Sequence, residues 1–456
     1  MDSFHYQHGE LFCETLPVED IARRYGTPVI VYSAAALREN VKQVREAFSE
    51  LDPAIRFPVS TLPSPGVLRT LAAEGCGMAA ISGGELERAW LSKAPMNEVL
   101  FAGVGKSDDD IRAALDGIYS PLFQAGVTVD GRPPYYRGPT GWLVAESLEE
   151  IERFAVIAGS LRVNCRIAVR INTALEVPAD ETVLAADADS KFGVSRSLAV
   201  EAFRRFEYRQ HVRLAGLASH VGQRSHDVAT YTANIRRLLE TAEEIRQTGH
   251  KIELIDVGGG LPSIGISRST PPAAAYARAI TPMFAPWRDA GTTIAIQPGR
   301  PVAASAGLLI VGVRDIKPAE DRRVVICDTG LNPAARPADV DGFRVVWPIA
   351  TEPGLEPPRE GVERLDTTGL DWYDLVGPSG RDNDLIGRSR LIPHVKPGAR
   401  LAIFGAGADA LATVQRGNDH TLPAEVLVEG RTMRPLRPRA GLIEQLAPEL
   451  GPLEKL

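Results

Sequence analysis

IRFPVSTLPSP, residues 55–65, sets the pattern of this chain. IRFPVS (55–60) reads as a short apolar strand, and a helix over 66–74 follows it. The same pair recurs: GMAAIS (77–82) before a helix over 84–93, VLFAG (99–103) before 108–115, and WLVAES (142–147) before 148–158. RIAVRIN (166–172) leads through a long loop to a helix over 197–206. LAGLASHVG (214–222) precedes 230–248, and IELIDVGGG (252–260) precedes 273–290. IAIQPG (294–299) is the eighth strand. Eight strands with intervening helices over about 250 residues fit an α/β fold of the (β/α)8, TIM-like type. Runs this apolar need cover on both faces, which flanking helices supply.

Outward from that core, a helix VEDIARRYG and a strand VIVYS (29–33) come first, then a helix with Leu37, Val41, Val44 and Phe48 at helical spacing. After Arg300 the rhythm changes to short strands split by Gly/Pro turns, the pattern of an all-β C-terminal domain. The expected division is a barrel over 29–305 and a β domain from 1–28 plus 306–456. Residues 118–141 are too long for an ordinary connection and read as an insertion, a small hairpin, carrying Tyr119, Phe123, Tyr135 and Tyr136. The net charge of −7 disfavours a nucleic-acid or anionic-membrane partner. With no apolar run of membrane-spanning length and no leader-like start, the expectation is a cytoplasmic protein. Cys13, Cys76, Cys165 and Cys327 lack metal-ligand or CxxC spacing and read as packed, reduced thiols, with no metal site.

Ligands of such barrels sit at the C-terminal strand ends. There the chain carries SGGEL (82–86), GVGKS (103–107), SKFGV (190–194), SHVG (219–222), DVGGGLP (256–262) and QPGRP (297–301), with ARPA (335–338) later. Small residues at a turn leading to a helix let backbone N–H groups approach an anion. A glycine cluster alone is also simply a turn. In type and order, these motifs resemble those of the fold-type III pyridoxal-phosphate (PLP) amino-acid decarboxylases, the diaminopimelate and ornithine decarboxylase family. The likeness covers nearly the whole chain. It implies a PLP-binding barrel, a β domain that takes in the extreme N-terminus, and a homodimer acting on an amino-acid-like substrate. It implies that Gly258, Gly259, Gly260, Gly299 and Arg300 hold the cofactor phosphate, that His220 packs on the pyridine ring, and that Arg336 holds a substrate carboxylate.

The departures fall on chemistry. The family's first strand reads Y-A-V-K-A-N, and Ser60 stands at the Schiff-base lysine. A hydroxyl cannot form an imine. Gln297 replaces the glutamate that pairs with the pyridine nitrogen, leaving the ring a poorer electron sink. In GPSGRDND (377–384), Gly380 replaces the acidic cysteine and Arg381 the neighbouring glutamate; Arg381 either pairs with Asp382 or reads a substrate carboxylate. Asp409 replaces a phosphate-binding tyrosine, and a carboxylate there repels phosphate. Lys106 and Lys191 belong to retained motifs and read as hydrogen-bonded loop residues rather than substitutes. His220 is read as a ligand contact, as a proton shuttle near neutral pH, or as a ring satisfied by its neighbours; His226 and Asp227 read as loop polar residues. The favoured reading is a small anionic or amino-acid-like ligand at the barrel mouth, with no covalently bound cofactor. The alternatives are a PLP decarboxylase or racemase holding its cofactor noncovalently, and a non-catalytic partner-binding pseudoenzyme.

Overall fold

In the computed structural model the eight apolar runs form parallel strands: β1 (Ala54–Pro58), β2 (Gly77–Ala80), β3 (Val99–Phe101), β4 (Trp142–Ala145), β5 (Cys165–Arg170), β6 (Val212–Ala218), β7 (Leu254–Asp256) and β8 (Thr293–Ile296). The structure describes residues 3–128, 139–175, 190–221, 227–263, 271–319, 322–330, 345–357, 367–381, 384–409 and 421–453. Each strand pairs with its neighbour in sequence, and β8 closes on β1 through Ala295↔Ala54 and Ile296↔Ile55.

The barrel interior is filled by small residues around one indole: Ala79, Leu100, Trp142, Val144, Ala168, Ala215, Ala218, Leu254 and Ala295 form one buried cluster. Gly216 makes room for that indole. A Cβ there would lie 3.1 Å from Trp142 Cζ3 and 3.0 Å from Ala168 Cβ, and the β5–β6 register shifts beside it. Helices cover the outside with their apolar stripes. Leu148–Leu161 buries Leu148, Ile151, Phe154, Ile157 and Ala158, and Ser147 caps it by accepting from Glu150 N. Asp227 is the corresponding cap of Val228–Gln247, a sharper role than a loop polar residue. The span read as one helix over 273–290 is Ala273–Ile280, a 3-10 turn Thr281–Phe284 and Ala285–Asp289. Pro282 and Pro286 cause the breaks, because neither has an N–H to donate to the preceding turn.

The second compact unit comprises residues 1–40, 263–268 and 302–456. Its long strand Gly307–Pro318 pairs with Val29–Ser33, Arg400–Phe404 and Arg323–Cys327. Val29–Ser33, counted with the barrel in the sequence reading, is thus a strand of this sheet, lying between Gly307–Pro318 and Ala424–Glu429 with all five residues buried. The N-terminal segment belongs here too: Leu11, Cys13, Val18 and Ile21 share a core with Leu308, Ile310, Ala402 and Val426. The sequence reading passed over the strands Leu385–Pro393 and Thr432–Arg437 and the final helix Leu442–Leu453.

At the start of the insertion, Gly117–Tyr119 and Pro121–Gln124 are short helical turns, while 129–138, where the expected hairpin would fall, lie outside the described residues. All four cysteines are free and buried, and burial pushes each thiol up, to about 11 for Cys76 and about 12 for Cys165. Among the described residues no helix is long and apolar enough to cross a membrane.

Candidate functional site

The end of β7 is the most constrained part of the barrel mouth. Gly258 has φ +72°, and a Cβ on it would lie 2.3 Å from Ser219 O and 3.0 Å from His220 Nδ1. A Cβ on Gly259 would meet His220 Cε1 at 2.9 Å. Only glycine lets this turn close onto the end of β6. The backbone donors of the turn are then unequally used. Gly258 N donates to Asp256 Oδ1 at 2.7 Å, and Gly259 N to His220 Nδ1 at 3.1 Å. Gly260, with φ +103°, is the member whose N–H is uncommitted among the described residues. Gly258 and Gly259 therefore shape the turn, and Gly260 keeps a backbone donor uncommitted among the described residues.

The bond from Gly259 fixes the state of His220. Nδ1 accepts, so in the neutral ring the proton is on Nε2. Burial, with the Arg170 guanidinium second, pushes the ring down to about 4. It is neutral near pH 7, suited to packing on a flat ligand and not to the neutral-pH proton shuttle entertained from the sequence.

Gln297 is anchored at both ends. Its N–H donates to Gly258 O at 2.9 Å, and its Nε2 donates to Asp256 Oδ2 at 3.0 Å. Asp256 is fully buried on an inward position of β7, in an ion pair with Arg56 of β1 at 3.9 Å. Burial pushes its carboxyl up, opposed by Arg56 and the two donors. Because that oxygen can only accept while ionised, the Gln297 amide must present its NH2 to it and turn its carbonyl away.

Gly299 carries the contact to the first strand. A Cβ there would lie 2.3 Å from Thr61 Oγ1 and 2.8 Å from Pro58 Cγ, so this loop lies directly on the turn Val59–Thr61 that follows β1. Ser60 is half-buried at the centre of that turn, and Arg300, buried, follows Gly299. The structure thus gathers Ser60, His220, Gln297, Gly258, Gly259, Gly260, Gly299 and Arg300 at the C-terminal end of the barrel.

Lys106 is no spare amine. Its side chain is fully buried, and Nζ donates to Gly103 O at 2.6 Å, Val144 O at 2.8 Å and Glu150 at 3.1 Å, between the rings of Phe101 and Phe154. Lys191 is exposed, over the ring of Phe192.

Arg170, at the end of RIAVR, is a mouth residue that the sequence reading left unassigned. It donates to Glu146 Oε1 at 2.8 Å, and Glu146 Oε2 accepts Gly193 N at 2.7 Å, with Phe192 beneath the guanidinium at 4.5 Å. The SKFG loop is pinned this way to the ends of β4 and β5. A charged residue closing an apolar strand was the available signal. Glu85 of SGGEL is a second: half-buried, accepting Ile81 N at 2.9 Å, it is pushed up to about 7 by burial.

Arg381 and Asp409 belong to the β domain. Arg381 is exposed in a loop whose form is set by buried Asp384, which accepts Ser379 N at 2.8 Å and donates its own N–H to Arg381 O at 3.0 Å. Asp409, half-buried with φ +60°, follows the strand Arg400–Phe404. Arg336, His226 and Asp382 lie outside the described residues.

Residues 34–304, a span that includes all eight barrel strands, match the family model for the pyridoxal-dependent decarboxylases, pyridoxal binding domain. The chain is 29% identical over 459 residues to the diaminopimelate decarboxylase of Zymomonas mobilis, covering 98% of this chain and 99% of that one. It is also 29% identical over 455 residues to that of Vibrio cholerae, covering 98% and 100%. Among solved structures it is similar to AQ1208 from Aquifex aeolicus, with a TM-score of 0.79, 25% identity and 98% of each chain covered. It shares its fold with the diaminopimelate decarboxylase of M. jannaschii in co-complex with L-lysine, with a TM-score of 0.83, 23% identity and 98% of each chain covered. A family match that takes in every strand of the barrel, with the glycine turn, the histidine and the following loop meeting at one mouth, makes this chain a member of the pyridoxal-dependent decarboxylase family.

Proposed function

We propose that this family member binds a small anionic or amino-acid-like ligand at the barrel mouth and works without an internal aldimine. The observation that carries the reading is Ser60, the residue at the centre of the turn after the first barrel strand, where the family resemblance places the Schiff-base lysine. The residues around it fit one half of PLP. Gly260 N–H and the Arg300 guanidinium suit a phosphate, and neutral His220 suits the face of a ring. They do not fit the aldehyde end, where Ser60 offers a hydroxyl and Lys106 is committed to Glu150. Gln297 brings an amide in place of a carboxylate, so no step is assigned through the cofactor. The anionic half of the ligand is then held by Gly260 and Arg300. The L-lysine bound by the M. jannaschii relative supports an amino-acid-like ligand.

The same phosphate-ready donors favour a second reading, a decarboxylase or racemase that holds PLP noncovalently. Absorbance of the purified protein with and without added PLP tests both. The expected result is no internal-aldimine band and, after borohydride, no lysine adduct in a peptide map. A lysine adduct would overturn the first reading. Turnover of an amino acid that depends on added PLP, without an adduct, would establish the second. A homodimer is also proposed from the family resemblance, and sedimentation equilibrium reads it directly.

A further inference from the structure

At the N-terminal end of the barrel, opposite the mouth, lies a cleft of about 340 Å3 lined by Arg56, Glu98, Trp142, Arg166, Lys251 and Glu253, among others. Arg56 is the anomaly. It is 3% exposed on an inward position of β1, and its Nε and Nη1 have no hydrogen-bond partner among the described residues. Its ion-pair partner Asp256 stands 3.9 Å away, too far for a hydrogen bond. Both oxygens of Asp256 are already taken, Oδ1 by Gly258 N and Oδ2 by Gln297 Nε2. A guanidinium stays charged in a protein, so two of its buried nitrogens are left as donors without an acceptor.

We infer that this cleft is a binding site for a small oxyanion, a carboxylate or phosphate group, held by Arg56 at its floor and by Arg166 and Lys251 at its rim. The sign of the site follows from who is already paired. Glu253 is occupied by Arg213 across the rim. Arg166 is oriented by its stack on Trp142 at 4.7 Å and by donating Nε to Gly141 O at 3.2 Å. Lys251 is exposed at the edge. Glu98, also exposed on the rim, is the opposing charge and favours a small anion over a large one. A single water occupies about 30 Å3, so the cleft has room for more than the solvent needed to satisfy one N–H. Charge-assisted bonds from a fork-shaped donor to paired oxygens are the strongest available match.

Selenate is the probe, because its anomalous scattering locates it and reads this cleft separately from the mouth. Crystals of the full chain are soaked over a selenate concentration series. The expected result is a peak within hydrogen-bonding distance of Arg56, saturating at low millimolar selenate. In the double variant Arg166→Gln, Lys251→Ala, saturation should need at least about tenfold more. Both changes are at exposed positions and leave the core intact. No peak in the cleft, or an unchanged series in the variant, would overturn the assignment, whatever binds near Gly260 and Arg300.

Discussion

The ends of β7 and β1 lie at the same barrel mouth and are specified by different forces. At β7, residue identity is dictated by packing. Gly258 and Gly259 have no room for a side chain against Ser219 and His220, and their N–H groups are spent on Asp256 and His220. At β1 the constraint falls on the neighbours of Ser60: Thr61 and Pro58 sit under Gly299, while Ser60 itself is half-buried. Gly258 and Gly259 therefore report the fold, and they would be needed with no ligand at all. On the function proposed above, residue 60 is the position that reports the chemistry, because packing does not dictate it.

The largest expected effect tests whether the mouth's buried lysine is structural. Lys106→Ala leaves Glu150 buried without its cation, with only Glu146 N–H still donating to it among the described residues, and should cost about 3–5 kcal/mol in urea unfolding. Lys106→Met with Glu150→Leu should recover most of that loss, which an amine needed only for chemistry would not predict. Next comes the packing claim at β7. Gly258→Ala forces a Cβ to 2.3 Å from Ser219 O at φ +72°, with an expected loss of about 2–3 kcal/mol with or without ligand. Wild-type stability in that variant would remove the contrast between the two strand ends.

His220 gives a smaller, pH-dependent effect. Its folded value of about 4 lies below the ordinary 6.5, so the unfolded chain takes up this proton first. The stability it contributes is complete above about pH 6.5 and is lost as pH falls toward 4. For a half-buried ring the loss is about 1–2 kcal/mol. His220→Gln can still accept Gly259 N–H but cannot titrate. Unfolding curves at several pH values should show a shallower slope in that variant, confined to this window.

The barrel was legible because its strands are apolar runs punctuated by glycine and proline, and its helices repeat apolar residues at helical spacing. Val29–Ser33 is just as apolar, and nothing local tells which of two sheets will bury it. The strand Leu385–Pro393 hides in LIGRSRLIP, whose arginines at 388 and 390 interrupt the apolar pattern. At the mouth, motif order located Ser60, His220 and Gln297, but not the division of labour within the glycine turn. The bond from Gly258 N–H to Asp256 is local, but the one from Gly259 N–H to His220, which leaves Gly260 as the spare donor, is a tertiary fact. Arg170 and Arg56 were missed for a related reason: a charge inside a strand reads as a surface residue until the strand's inward face is known.

The smallest stability change is expected at Ser60, and it sharpens the comparison most. Ser60→Ala removes a half-buried hydroxyl whose neighbours, not itself, hold the turn, so unfolding free energy should move by no more than about 0.5 kcal/mol. Ser60→Lys should also fold. With PLP it should gain the absorbance of an imine, which borohydride fixes to residue 60, because the phosphate-side donors at Gly260 and Arg300 are already in place. If the lysine variant folds and still forms no adduct, the mouth lacks more than an amine, and Gln297 becomes the residue that defines its ligand. If Ser60→Ala instead destabilises the fold as much as Gly258→Ala, residue 60 is set by packing too, and its identity carries no message about chemistry.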